Sequence, residues 1–179
     1  MDTGDRAAMM GRIEAATVRF LDTVRALPES EAHEPSLLPG WSRGHVITHV
    51  ARSGDALREL MAGARTGVPA YGYASAEARE ADITTGARRP VAEQLTDVIA
   101  SAESFATEAA AMTDEFADTP VRVMAYAEFP ASECLLRRLV ELELHHVDLG
   151  LSYKVADWPV DFATLDLHEP MRTQRADRR

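Results

Sequence analysis

Apolar residues return at alternating steps of three and four in four separate stretches of this chain, and such a period marks one buried face of an α-helix. The first stretch carries Met10, Ile13, Thr17, Phe20, Val24 and Leu27, with Thr3 as the expected N-cap and Pro28 as the stop. The second carries Val46, Val50, Leu57 and Leu60, with Ser42 as N-cap and a run to about Gly63. The third starts near Pro90 and has the cleanest seam: Val91, Leu95, Val98, Ala102, Phe105, Ala109 and Met112. The fourth, opened by Pro130 and closed by Gly150, turns Leu135, Leu139, Leu142, His146 and Leu149 inward. Four amphipathic helices in one chain predict an all-α four-helix bundle.

The segments between them refine the plan. Residues 64–89 hold Gly67, Pro69, Tyr71, Gly72, Tyr73 and Gly86 and few bulky aliphatics. This is a long crossover between helices 2 and 3, with a short helix expected around Ala76–Ile83. A connection of that length is functional or ties together helices that run parallel. Thr113 to Phe129 is irregular, with Val121-Arg122-Val123-Met124 as a possible short strand. A further short helix is expected past Asp157-Trp158-Pro159. The domain is expected over residues 1–165, and residues 166–179 read as a disordered basic tail.

Composition excludes several function classes. Across 179 residues the formal net charge is −10, so broad attraction to nucleic acid or an anionic membrane is not expected. One cysteine, Cys134, forbids an internal disulfide framework and a cysteine-rich zinc site. The N-terminus lacks the basic start and apolar core of a signal peptide, and no apolar run approaches the ~20 residues of a membrane span. The expected location is the cytoplasm and the expected partners are small molecules.

Histidines and acids carry the chemistry. Two tight groups fall on helices two and four: His45-Val46-Ile47-Thr48-His49 and Glu141-Leu142-Glu143-Leu144-His145-His146. Residues four apart share a helix face, so His45 with His49, and Glu141 with His145, can each converge. At about 100° per residue, His49 lies roughly 60° from Val46 and roughly 20° from Leu60, and so points inward. His145 lies roughly 60° from Leu142, at the border of the apolar stripe, with Glu141 on the same flank. Two imidazoles and a carboxylate are a catalytic zinc set that leaves a fourth position open. The first group is not a zincin motif, because Val46 stands where that motif needs its glutamate.

Spacing alone leaves the ligand choice on the fourth helix open. Glu143 with His146 is an i,i+3 alternative, and His146 is nearer the core centre. Asp148 is either an acid that orients an imidazole or a solvated helix-end residue. Trp41 is expected to pack at the bundle end, Tyr71 and Tyr73 to pack or to cover the site. Arg43, Arg52 and Arg138 are candidate carboxylate binders, and Cys134 reads as a small buried hydrophobe.

Two long segments resemble one family. Leu38-Pro39-Gly40-Trp41-Ser42-Arg43-Gly44-His45 running on to His49 and Arg52, and Glu141 to Gly150 followed by Tyr153 and Ala156-Asp157-Trp158-Pro159, are similar to the mycothiol-dependent maleylpyruvate isomerases. The resemblance implies a DinB-like metal-binding domain, the N-terminal half of those enzymes. It implies metal ligation by His49, Glu141 and His145 rather than by Glu143 and His146. It also implies zinc or another divalent metal, mycothiol as thiol cofactor, and cis–trans isomerisation of maleylpyruvate. In that chemistry a thiolate adds to the cis double bond, the resulting single bond rotates, and elimination gives the trans isomer. Family members continue into a smaller C-terminal domain that contributes to the substrate site, whereas this chain stops at Arg179. A mycothiol S-transferase acting on other electrophiles is therefore the alternative activity, and a non-enzymatic metal-binding module the alternative of another class.

Overall fold

The computed structural model describes residues 3–124 and 127–179. In chain order its elements are α1 (Thr3–Ala26), α2 (Glu29–Ala32), α3 (Arg43–Thr66), α4 (Ala76–Gly86), α5 (Val91–Ala110), α6 (Asp114–Ala117), β1 (Pro120–Val121), β2 (Phe129–Pro130), α7 (Glu133–Asp148), α8 (Val160–Ala163) and α9 (Met171–Ala176). The four periodic stretches are the long helices α1, α3, α5 and α7. Their ends follow from local chemistry. Ser42 accepts from the His45 backbone N–H while the His45 ring accepts from the Ser42 backbone N–H, so both orphan donors at the start of α3 are paired. Gly67 closes α3 in the left-handed region, at φ 74°. The expected capping by Thr3 lies outside the described side chains.

Side-chain pairings fix the topology. Arg52 meets Asp97 and Arg65 meets Glu108, so α3 and α5 run parallel. That is why the crossover is long: the chain must travel back along α3, and α4 lies against it. Helix α7 runs antiparallel to α3, with Arg43 near Leu149 and Val50 near Arg138, and parallel to α1, with Arg19 on Glu143 and Thr23 on His146. Each long helix therefore packs on two others. Phe20, Leu60, Phe105, Leu135, Leu139 and Leu142 fill the centre with almost no exposure, each worth roughly 1.5–3 kcal/mol of transfer free energy. Close approach of α3 and α5 depends on Gly54, where a Cβ would lie 2.6 Å from the Ser101 Oγ. Docking of α4 similarly depends on Gly86, where a Cβ would lie 2.3 Å from Thr48 Cγ2.

Three details differ from expectation. Pro130 does not open the fourth helix: it pairs with Pro120 in the antiparallel ladder of β1 and β2, and α7 begins at Glu133. Proline's fixed φ suits this extended edge, and the ladder buries Val121 and Phe129. The strand itself falls at Pro120–Val121, short of the expected Val121 to Met124. The basic tail, finally, is not disordered. Leu167 and Met171 are buried, α9 packs on α7, and Arg175 and Arg179 donate to the carbonyls of Phe162 and Ala163, each at 2.7 Å. Two apolar anchors and a set of backbone acceptors hold a segment whose composition alone reads as solvated.

Candidate metal centre

The antiparallel pairing of α3 and α7 brings His49 opposite Glu141 and His145. His49 Nε2 lies 2.9 Å from Glu141 Oε2 and 3.0 Å from His145 Nε2, and the third side of the triangle, His145 Nε2 to Glu141 Oε2, is 3.3 Å. Among the described residues these three form the group of ligand atoms close enough to hold one ion. Bonds of about 2.0–2.2 Å in a tetrahedron place donor atoms about 3.3–3.6 Å apart, so the triangle fits zinc-like coordination after an expansion of a few tenths of an ångström. Both histidines are mostly buried, while the Glu141 side chain is 29% exposed and opens the group to solvent on one side.

Protons alone serve this cluster poorly. Burial alone would raise the Glu141 pKa, but hydrogen bonds and charge from His145 and His49 hold it well below the usual carboxylate range. Burial and the His145 charge push His49 down. Burial also opposes charge on His145, yet hydrogen bonds to Asp148 and Glu141, and their charges, carry it up to about 9. The carboxylates thus draw positive charge to one point between three converging acceptor atoms. A divalent cation supplies that charge and satisfies all three at once, so the donor set fits such an ion.

Surrounding groups orient these side chains. Asp148 Oδ2 lies 2.8 Å from His145 Nδ1 and holds a proton there, so the proton that a bound ion would displace is the one on Nε2, which faces the triangle. Arg79, on α4, donates to His49 Nδ1 at 3.1 Å. Its guanidinium lies 5.9 Å from the Trp41 ring and 5.7 Å from the Tyr73 ring, and Trp41 also meets His49 edge-on at 5.4 Å. One wall of the mouth is therefore cationic and aromatic.

The other residues singled out in the sequence have different roles. His45 belongs to the α3 cap and stacks on Trp41 rather than joining His49. Glu143 and His146 face away, between α7 and α1. Glu143 accepts from Arg19 at 2.5 Å and from Tyr153 at 2.6 Å, while His146 meets Thr23 at 2.7 Å and stacks on Tyr153 at 3.8 Å. Tyr71 lines a separate cavity of about 250 Å³ with Arg122. Arg43 donates to the Leu149 carbonyl, and Arg52 pairs with Asp97. Arg138 is fully buried and donates to the Val50 carbonyl at 2.7 Å. Its guanidinium is drawn down to about 10, by burial above all, with Glu141 and Asp55 opposing. Arg79 and Arg178, which bears on Asp148 as described below, escaped the sequence reading. Each is one arginine among many, and its partner lies thirty positions away.

The fold has known counterparts. Sequence comparison with curated proteins gives no match. The crystal structure of a mycothiol-dependent maleylpyruvate isomerase superposes with a TM-score of 0.82 at 29% identity, covering 89% of this chain and 68% of that one. A mutant of a mycothiol-dependent maleylpyruvate isomerase, carrying a histidine-to-alanine substitution, gives 0.81 at 28% identity over the same shares. The profile of the mycothiol maleylpyruvate isomerase N-terminal domain matches residues 13–150, well over half of the chain. The chain belongs to the family of mycothiol maleylpyruvate isomerase N-terminal domains.

Proposed function

We propose that this protein is a metal-dependent, mycothiol-using isomerase of the maleylpyruvate type, in which His49, Glu141 and His145 hold one divalent ion, zinc by the character of the donor set. The observation that carries the reading is the convergence of three acceptor atoms from α3 and α7 within 3.3 Å of one another, in a chain of this family. When bound, the metal supplies an open Lewis-acidic position and the thiol supplies the nucleophile whose reversible addition lets the cis double bond rotate.

The chain's own residues do the rest. Asp148 holds a proton on His145 Nδ1, so that Nε2 is the nitrogen that would give up its proton and turn a lone pair to the ion. A metal on His49 Nε2 would leave that ring's proton on Nδ1 and take away the acceptor that Arg79 uses. The guanidinium, with Glu80 at 3.9 Å as its remaining ion-pair partner, would then turn its unused donors to a carboxylate of the diacid. Trp41 and Tyr73 flank it and limit water on that side, which strengthens the ion pair. Glu141, at the open edge, is the ligand nearest solvent. The reading also places the protein in the cytoplasm, where a lone thiol and a low-molecular-weight thiol cofactor both stay reduced. Among the described residues no helix is long and apolar enough to cross a membrane.

The test uses cobalt in place of zinc. Adding mycothiol should produce a sulfur-to-metal charge-transfer band, and maleylpyruvate should isomerise only when metal and thiol are both present. A spectral change without isomerisation, but with conjugation of other electrophiles, replaces the isomerase by an S-transferase. A metal-loaded protein with no spectral response to thiol removes both enzymes and leaves the binding module.

A further inference from the structure

We infer that Arg178, in the C-terminal segment, is a positioning residue of the metal centre that acts on His145 through Asp148. The inference rests on the metal reading above. Asp148 is the last residue of α7 and is 2% exposed. A carboxylate there is disfavoured twice: it is buried, and it sits at the negative end of the helix dipole. Arg178 offsets both. Its Nε donates to Asp148 Oδ1 at 2.8 Å and its terminal nitrogen donates to Oδ2 at 2.6 Å, a two-point grip. The same Oδ2 lies 2.8 Å from His145 Nδ1.

A two-point grip fixes the plane of the carboxylate as well as its charge. With the plane fixed, the Oδ2 lone pair stays on His145 Nδ1, and the ring's Nε2 stays aimed at His49 and Glu141. Without the grip, Asp148 can rotate toward water, and the His145 ring loses the hydrogen bond that holds both its tautomer and its angle. Delivery of Arg178 depends on docking of α9, through buried Met171 and through Arg175 donating to the Phe162 carbonyl. The segment whose composition reads as a tail therefore completes the site from behind.

Three variants separate positioning from plain stability: Arg178→Ala, Arg178→Lys, and Glu143→Gln, which breaks the Arg19 pair on the α1 side of α7 and touches neither Asp148 nor Arg178. Zinc affinity is measured by competition with a chromophoric chelator, and thermal unfolding is followed on the metal-free proteins. Losing a partner bonded directly to a metal ligand weakens metal binding about 10–100-fold, and Arg178 stands one bond further out, so Arg178→Ala should weaken binding by roughly tenfold. Arg178→Lys should recover part of the loss, and Glu143→Gln should stay close to wild type even where its Tm drops. In zinc-loaded protein, the His145 Nδ1–H proton should exchange with water faster in Arg178→Ala than in wild type or Glu143→Gln. Wild-type affinity in Arg178→Ala overturns the inference. So do losses of metal that track Tm equally in the Glu143 and Arg178 variants. A wild-type protein that takes up no zinc overturns the metal reading first, and this inference with it, before any variant is compared.

Discussion

Exchanging Glu143 for Gln and Glu141 for Gln should produce opposite phenotypes, although the two acids stand two positions apart on one helix. The Glu143 side chain is 1% exposed and holds two charge-assisted contacts, from Arg19 at 2.5 Å and Tyr153 at 2.6 Å. The amide keeps one acceptor for Tyr153 but brings an N–H that faces the other donor, and it abolishes the charge pairing. Arg19 is 34% exposed and can recover water, so the loss falls well short of the full cost of a stranded buried ion. Hydrogen bonds to charged groups are worth about 1.5–3 kcal/mol, which puts Glu143→Gln near ~2 kcal/mol of destabilisation. For a chain of this size that is a Tm decrease of about 4–8 °C. Bound zinc per protein should not change. Glu141→Gln replaces an anionic ligand at a partly open edge with a neutral one, so it should lose most of the zinc with little effect on the metal-free fold. Elemental analysis and thermal unfolding of both variants decide the matter. A Glu143→Gln protein stripped of metal beside a Glu141→Gln protein that retains it would refute the assignment of the two carboxylates.

Further expectations concern protonation, reactivity and recognition. His146 is held down to about 4, by burial first and by the charge of Arg19 second, from an ordinary value of 6.5. A depressed histidine folds neutral, so its contribution is present above pH 6.5 and is lost as pH falls toward 4. At about 1.4 kcal/mol per pH unit this amounts to at most ~3.5 kcal/mol. Urea unfolding at pH 7.5 and pH 4.5 should show that loss in wild type, and a smaller loss in His146→Leu. The Cys134 thiol is buried and pushed up to about 12, by burial above all, so iodoacetamide should label it only after unfolding. Labelling of the native protein at pH 8 would contradict its placement. Arg79→Gln should leave zinc content intact and raise KM for a diacid by roughly tenfold or more, since a charged partner is worth 1.5–3 kcal/mol. A change confined to kcat would argue against carboxylate recognition.

Periodicity was enough to place the four long helices, because burial against neighbours rewards a stripe every three to four residues whatever lies outside it. Length and glycine content pointed to the crossover, and the parallel run of α3 and α5 explains why it must be long. The angular position of His49 was legible for the same reason. Ligand choice on α7 was not, because His145 at the border of the stripe and His146 nearer its centre each have an acid one helical turn away. Only the orientation of α7 between α1 and α3 sends one pair to His49 and the other to Arg19 and Thr23. Pro130 was misread because a proline that can open a helix can equally hold an extended edge. Arg79 and Arg178 were invisible for a different reason. Their partners are long-range, and an arginine on a short helix or just past one carries no local mark of the residue it will meet.

The most direct test of the account is metal content. Protein purified without chelator, and its His49→Ala, Glu141→Ala and His145→Ala variants, should be compared by elemental analysis alongside circular dichroism to confirm the fold. The expected result is close to one zinc per wild-type chain and a sharp loss in each variant, with helical content retained. Equal metal in all four proteins, or none in the wild type after zinc is supplied, would contradict the claim that these three side chains form the metal centre.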